Sequence, residues 1–158
     1  MIADELKKHI VCFTGHRELS HKDIHSQLDN LSERLIKQGY IHYAAGGALG
    51  FDTEAALAVL RAREKHPHIK LILILPYHKQ AKNWDKEQQV LYENIKMKAD
   101  KVTYTCEKYS RGCFHMRNRA LVDGSSLCVA YLVKGTGGSA YTVGYAEKKG
   151  VKIINIAE

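Results

Sequence analysis

The chain has 158 residues, 45% of them hydrophobic, enough for one domain with a real core. With 24 Lys and Arg against 17 Asp and Glu its net charge is +7, which suits anionic ligands, nucleic acid included. No apolar run approaches the ~20 residues of a bilayer span, and residues 1–9 are charged where a secretory signal is apolar. The expectation is a cytoplasmic protein with no membrane partner.

Short β-type runs alternate with helical periods along the whole chain, the pattern of an α/β fold with a mostly parallel sheet. The first strand is expected at 10–14, followed by Thr14-Gly15-His16-Arg17. A helix follows over about 20–38, with Ile24, Leu28, Leu31 and Leu35 on its apolar face, Ser20 able to cap its start and Gly39 suited to the left-handed position past its end. The second strand, 41–45, leads into Gly46-Gly47-Ala48-Leu49-Gly50-Phe51-Asp52 and then a helix at 53–65, in which Ala55, Ala56 and Ala58 permit close packing on the sheet. Residues 71–75 are an unbroken apolar run, which implies cover on both faces, and Pro76 ends it. A helix at about 82–98 carries Trp84, Leu91 and Ile95 on one face. A fourth strand is placed at 101–105 and a short helix, with Arg117, Asn118 and Arg119, at 114–122. Strand 127–133, the loop Gly135-Thr136-Gly137-Gly138-Ser139, a helix at 139–149 and a strand at 151–156 complete the pattern. These are six strands with crossover helices, and the expected doubly wound order is 3-2-1-4-5-6.

In a parallel sheet the loops after the strands meet at the carboxyl edge, where open α/β sheets bind ligands. Glycines there bring backbone N–H groups close to an anion, and arginines pair with it. Arg17 is suited to two parallel hydrogen bonds with a phosphate. His16 either donates to a ligand or packs against its turn. The Gly46, Gly47, Gly50 loop lacks the Lys-Ser/Thr of a Walker loop but allows a tight turn aimed at an anion. Asp52 is either a helix cap or an acceptor for ribose hydroxyls. Arg117 and Arg119, two residues apart, do not share a helix face, so Arg117 and Asn118 are taken as ligand-facing. The N–H groups of Gly137, Gly138 and Ser139 offer a second anion nest. Trp84 or Tyr77 is placed to stack on a base, a core role for Trp84 being equally open.

Catalytic and metal signatures are sparse. There is no G-x-S-x-G elbow; Asp52, Glu54 and His16 are the acid–base candidates, with Asp52 the weak catalytic one. Cys12 and Cys128 lie within strands as small hydrophobes. Cys106, Cys113 and His115 are close in sequence but match no C-x-x-C spacing, so no metal and no cofactor is expected. Lysines are spread along helices, with Lys7-Lys8 and Lys148-Lys149 the only adjacent pairs, and no aromatic–basic interleaving marks a nucleic-acid groove.

Taken in order, Thr14-Gly15-His16-Arg17, Gly46-Gly47-Ala48-Leu49-Gly50-Phe51-Asp52, Arg117-Asn118-Arg119 and Gly137-Gly138-Ser139-Ala140-Tyr141-Thr142 resemble the YpsA-like family of the SLOG superfamily, over residues 10–156. The resemblance implies a single Rossmann-like three-layer domain and a bacterial or phage source. It also implies a pocket for a nucleotide or nucleotide-sugar derivative such as ADP-ribose, and a homodimer. Superfamily relatives include the Lonely Guy phosphoribohydrolases, the DprA DNA-processing proteins and antiphage ligand sensors; the YpsA branch is linked to cell division. The Lonely Guy enzymes have a Pro-Gly-Gly-x-Gly-Thr-x-x-Glu motif whose glutamate assists cleavage. The matching stretch from Gly137 to Val143 has no glutamate, so a sensor or sequestering protein is expected ahead of an N-glycosidic hydrolase. Single-stranded DNA binding of the DprA type ranks third.

Overall fold

The computed structural model describes residues 4–20 and 23–157. Its elements are α1 (Asp4–Lys7), β1 (Ile10–Gly15), α2 (Ile24–Lys37), β2 (His42–Ala45), α3 (Phe51–Lys65), β3 (Lys70–Leu75), α4 (Lys86–Lys98), β4 (Lys101–Tyr104), α5 (Cys113–Asp123), β5 (Leu127–Tyr131), α6 (Gly138–Lys148) and β6 (Lys152–Asn155). The strands form one six-stranded sheet in which every pairing is parallel. No helix among the described residues is long and apolar enough to cross a membrane.

Alternation along each strand sorts the core into two layers, as a pleated strand requires. Val11 and Phe13, Tyr43 and Ala45, Leu71, Leu73 and Leu75, and Leu127, Val129 and Tyr131 meet Leu28, Leu31 and Leu35 of α2, Ala55, Ala56 and Val59 of α3 and Ile95 of α4. Cys12, Ala44 and Cys128 face the other way, onto Leu121 and Val122 of α5 and Ala146 of α6. The β3 run is covered on both sides, with Ile72 and Ile74 packed against this second, smaller layer. Cys12 and Cys128 are register partners, free and buried, and contact between the two thiols together with burial pushes the Cys128 thiol up.

The strand order is 4-3-2-1-5-6, which corrects the expected 3-2-1-4-5-6. The β3–α4–β4 crossover continues outward, with α4 packed beside α3, so β4 becomes an edge strand. The chain reverses only at β5, which pairs with β1. The switch point therefore lies between β1 and β5, and the loops after these two strands diverge to opposite faces.

Helix starts are the other corrections. Ser20 does not cap α2: its backbone N–H donates to the Tyr131 hydroxyl, which also lies 3.0 Å from its Oγ, and Asp23 occupies the N-cap position. Residues 21–22 of the expected helix lie outside the described residues. Helix α4 begins at Lys86, because Asp85 and Gln88 form a reciprocal capping box. Trp84 therefore precedes the helix, and the buried face of α4 is Tyr92 and Ile95, with Leu91 exposed. Helix α3 starts early, at Phe51, so Asp52 lies in its first turn and Gly50 is the N-cap.

Candidate functional site

The loops after β1 and β2 are stitched to the sheet by backbone contacts. His16 N–H donates to the Tyr131 carbonyl and Phe51 N–H to the His16 carbonyl. Close approach requires glycine at two points. A Cβ on Gly15 would stand 2.5 Å from the Phe51 ring; one on Gly50 would stand 2.2 Å from the Arg17 carbonyl oxygen, at φ +82°. Arg17 is thereby held at the carboxyl edge, exposed, with no hydrogen bond or ion pair to any described residue.

Beneath Arg17 is a cleft of about 310 Å³, at the lower end of the ~300–1,000 Å³ usual for small-molecule pockets. Of the residues expected at a site, it brings together Gly15, His16, Arg17, Asp52, Arg117, Asn118, Gly138 and Ser139. Thr14, Ala48, Phe114 and His115 complete its lining, and sequence reasoning did not place these four at the site. A signal existed for Phe114: it stands three residues before Arg117 and so shares its helix face.

Arg117 is buried, at 5% exposure. Its Nη1 donates to the Gly46 carbonyl and its Nε to Asn118 Oδ1 at 2.7 Å. Gly46 is needed here, since a Cβ would lie 2.8 Å from Nη1. Because Asn118 spends its oxygen on Arg117, its Nδ2 remains a donor, and it lies beside Gly138 at the start of α6. Arg119 turns the other way and donates to the Tyr141 hydroxyl at 2.8 Å.

Asp52 is the second buried charge, its Oδ2 accepting the Ala48 N–H at 3.2 Å. Burial pushes its carboxyl up to about 6, against the pull of Arg117 and of the Ala48 and Gly46 N–H groups. Burial likewise lowers Arg117 from its ordinary range, and Asp52 opposes that shift. The cleft floor thus holds a carboxyl that burial raises to about 6, near a guanidinium fixed by its neighbours.

Opposite, α6 opens at Gly137, φ +99°, with no side-chain cap. The first-turn N–H groups of Gly138 and Ser139 lack helical partners, and they face the cleft with the positive end of the helix dipole. His16 has a structural task beside them. Its Nε2 accepts the N–H groups of Val133 at 2.8 Å and Lys134 at 3.1 Å, which puts the neutral ring's proton on Nδ1. The ring pins the β5–α6 loop against the β1–α2 loop.

Gly46, Gly47, Gly50, Gly137 and Trp84 are not in the cleft lining. Gly47 sits where a Cβ would meet the Leu75 side chain at 2.4 Å, and its carbonyl accepts from Gln80. Trp84 packs edge-on against Tyr92, ring centroids 5.1 Å apart, as part of the core. Tyr77 lies behind Phe114. Cys106 rests against Met116 and Ser110, and among the described residues no three His, Cys, Asp or Glu side chains group to hold a metal.

The motifs that build this cleft match a known family over nearly the whole chain: the YspA SLOG family profile covers residues 7–154. The chain belongs to that family. Its relatives include the SPbeta prophage-derived protein YoqJ of Bacillus subtilis, 28% identical over 75% of this chain and 76% of YoqJ. Another is the UPF0398 protein YpsA of the same organism, 29% identical over 73% of this chain and 66% of YpsA. Among solved structures, DNA processing protein A from Streptococcus pneumoniae superposes with TM-score 0.68 at 21% identity, over 95% of this chain and 50% of that one. The molybdenum cofactor binding protein of Rippkaea orientalis superposes with TM-score 0.62 at 19% identity, over 95% and 77%. At these identities the structural likenesses establish the fold. The chain spans about two thirds of YpsA and half of the pneumococcal protein.

Proposed function

We propose that the carboxyl-edge cleft binds a nucleotide or nucleotide-sugar derivative, of the ADP-ribose or nucleoside phosphate type, and that the protein senses or sequesters it. The observation that carries this reading is the meeting, in one hollow, of an unpaired exposed arginine, an uncapped helix start and a buried carboxylate. Arg17 and the N–H groups of Gly138 and Ser139 suit a phosphate. Asp52 suits ribose hydroxyls, since an ionised carboxylate only accepts hydrogen bonds. Asn118 Nδ2 supplies one more donor between the two. Calorimetry of the full chain with ADP-ribose, NAD, AMP and inorganic phosphate tests the reading. Saturable binding of a phosphorylated nucleoside, weakened in Arg17→Ala, is expected; a folded protein that binds none of the panel overturns it.

Asp52 favours a second reading, hydrolysis of an N-glycosidic bond. A carboxyl at about 6 is in the range of a general acid or base near neutral pH. Incubation with AMP or NAD and chromatography for released base separates this from binding alone. A third reading is single-stranded DNA binding, supported by the likeness to the Helicobacter pylori DNA processing protein A, whose structure concerns its single-stranded DNA binding mode. Gel shifts at two salt concentrations decide it, because a phosphate-driven complex weakens steeply with salt.

A further inference from the structure

Phe114 belongs to two environments. On one side it lines the cleft, with the Arg117 guanidinium 5.7 Å from its ring centroid. On the other it meets the rings of Tyr77 and Tyr109, centroids 6.1 and 6.4 Å away, and these two meet each other edge-on at 5.6 Å. The three rings come from different places: the loop after β3, the loop after β4, and the first turn of α5. Tyr109 is 62% exposed although two aromatic neighbours hold it. Beside it is a second hollow of about 390 Å³, lined by Tyr77 and Tyr109 with Lys79, Lys82 and Lys108 on its rim and Glu107 the one acid. An exposed aromatic ring held by two aromatic neighbours, next to a surplus of lysines and linked to the cleft lining through Phe114, matches a planar ring attached to a phosphate.

We infer that the Tyr77–Tyr109–Phe114 group is a second subsite that takes a nucleobase. The ligand of the cleft is then a molecule with two rings joined through phosphate, one half on each side of Phe114. This rests on the nucleotide reading of the cleft and narrows it. The stacking surface for the second ring is Tyr109, and the lysines answer the charge of the linking phosphates. Two sources share this chemistry: a free 5′–5′ pyrophosphate-linked dinucleotide, and two adjacent nucleotides of a single strand.

Titration calorimetry of the full chain with AMP, NAD, diadenosine pyrophosphate and the 3′–5′-linked dinucleotide pApA tests the inference. In the wild type a two-ring ligand is expected to bind about tenfold or more tighter than AMP, the scale of one base–aromatic stack. Tyr109→Ala removes that advantage and leaves AMP affinity unchanged, and Tyr109→Phe keeps it. A preference for the pyrophosphate-linked compounds identifies a free dinucleotide, and a preference for pApA identifies a strand. AMP binding with no gain from a second ring overturns the inference alone. Absence of binding by any of the four overturns the cleft reading and this inference together. Sedimentation of wild type and Tyr109→Ala covers the remaining occupant: self-association that depends on Tyr109, without a two-ring advantage, assigns the surface to a second copy of the chain and overturns the nucleobase assignment.

Discussion

The two edges of the sheet each hold a hollow, and they are built differently. At the amino edge about 770 Å³ is lined by Lys7, Lys8, Lys149 and the backbone around the carboxyl ends of α5 and α6. At the carboxyl edge the cleft is less than half that size. Yet Asp52 and Arg117, the charged side chains buried among the described residues, both line the smaller one. Burying a charge costs several kcal/mol unless partners are arranged around it, and here Gly46, Ala48 and Asn118 are so arranged. At the amino edge Lys8 pairs with Glu5 at the surface and Lys149 lies over the Tyr145 ring, contacts that cost and contribute little. Volume and desolvated polar groups thus point to opposite edges of the sheet.

Four measurements break or sharpen that contrast. The largest effect is expected from Arg117→Ala, which strands the Gly46 carbonyl and the Asp52 carboxyl and leaves a void. A loss of about 3–5 kcal/mol in urea unfolding is predicted, and a loss under 1 kcal/mol would show that the carboxyl edge bears no special cost. Arg17→Ala is predicted to weaken nucleotide binding by ~1.5–3 kcal/mol while leaving the unfolding midpoint in place, because the residue is exposed and no hydrogen bond or ion pair ties its side chain to the described residues. Wild-type affinity in that variant removes Arg17 from the site.

The third measurement is the pH dependence of ADP-ribose affinity, a ligand whose pyrophosphate has no group titrating near 6. In the proposed complex ribose hydroxyls donate to the ionised form of Asp52, whose carboxyl burial raises to about 6. Affinity should therefore be full at pH 7 and above and fall as pH drops through 6, by about tenfold at pH 5. In Asp52→Asn the profile should be flat; the same slope in that variant places the titrating group elsewhere. The smallest effect belongs to the amino edge, where Lys149→Ala should change both stability and nucleotide affinity by less than about 0.5 kcal/mol. A larger loss of affinity would bring the lysine-rimmed hollow into the function.

Much of the fold was readable because its signals are local. Runs such as Leu71 to Leu75 announce buried strands, Gly39 takes the left-handed position past α2 with φ +98°, and Arg17 follows a glycine at the end of β1. Other features depend on what packs against a segment. Trp84 read as a helix residue or a stacking platform, but Asp85 and Gln88 start the helix after it and Tyr92 takes up its ring. Ser20 has the right side chain for a cap, yet the Tyr131 hydroxyl, 111 residues away, claims it.

By itself the sequence determined the alternation of strands and helices and the glycine-rich or polar loops that follow β1, β2 and β5. Those depend on periodicity and on backbone freedom, which neighbouring residues decide among themselves. Only the tertiary structure decided that β5 returns to β1 while β4 stays at the edge, and so which loops share a cleft. Crossover handedness allows either placement, and the burial available to α4 beside α3 selects one. It alone brought Phe114 between the cleft and the tyrosine pair, and set Asp52 in a pocket dry enough to hold its proton to about pH 6. Desolvation is a property of the surroundings, and no stretch of sequence contains its own surroundings.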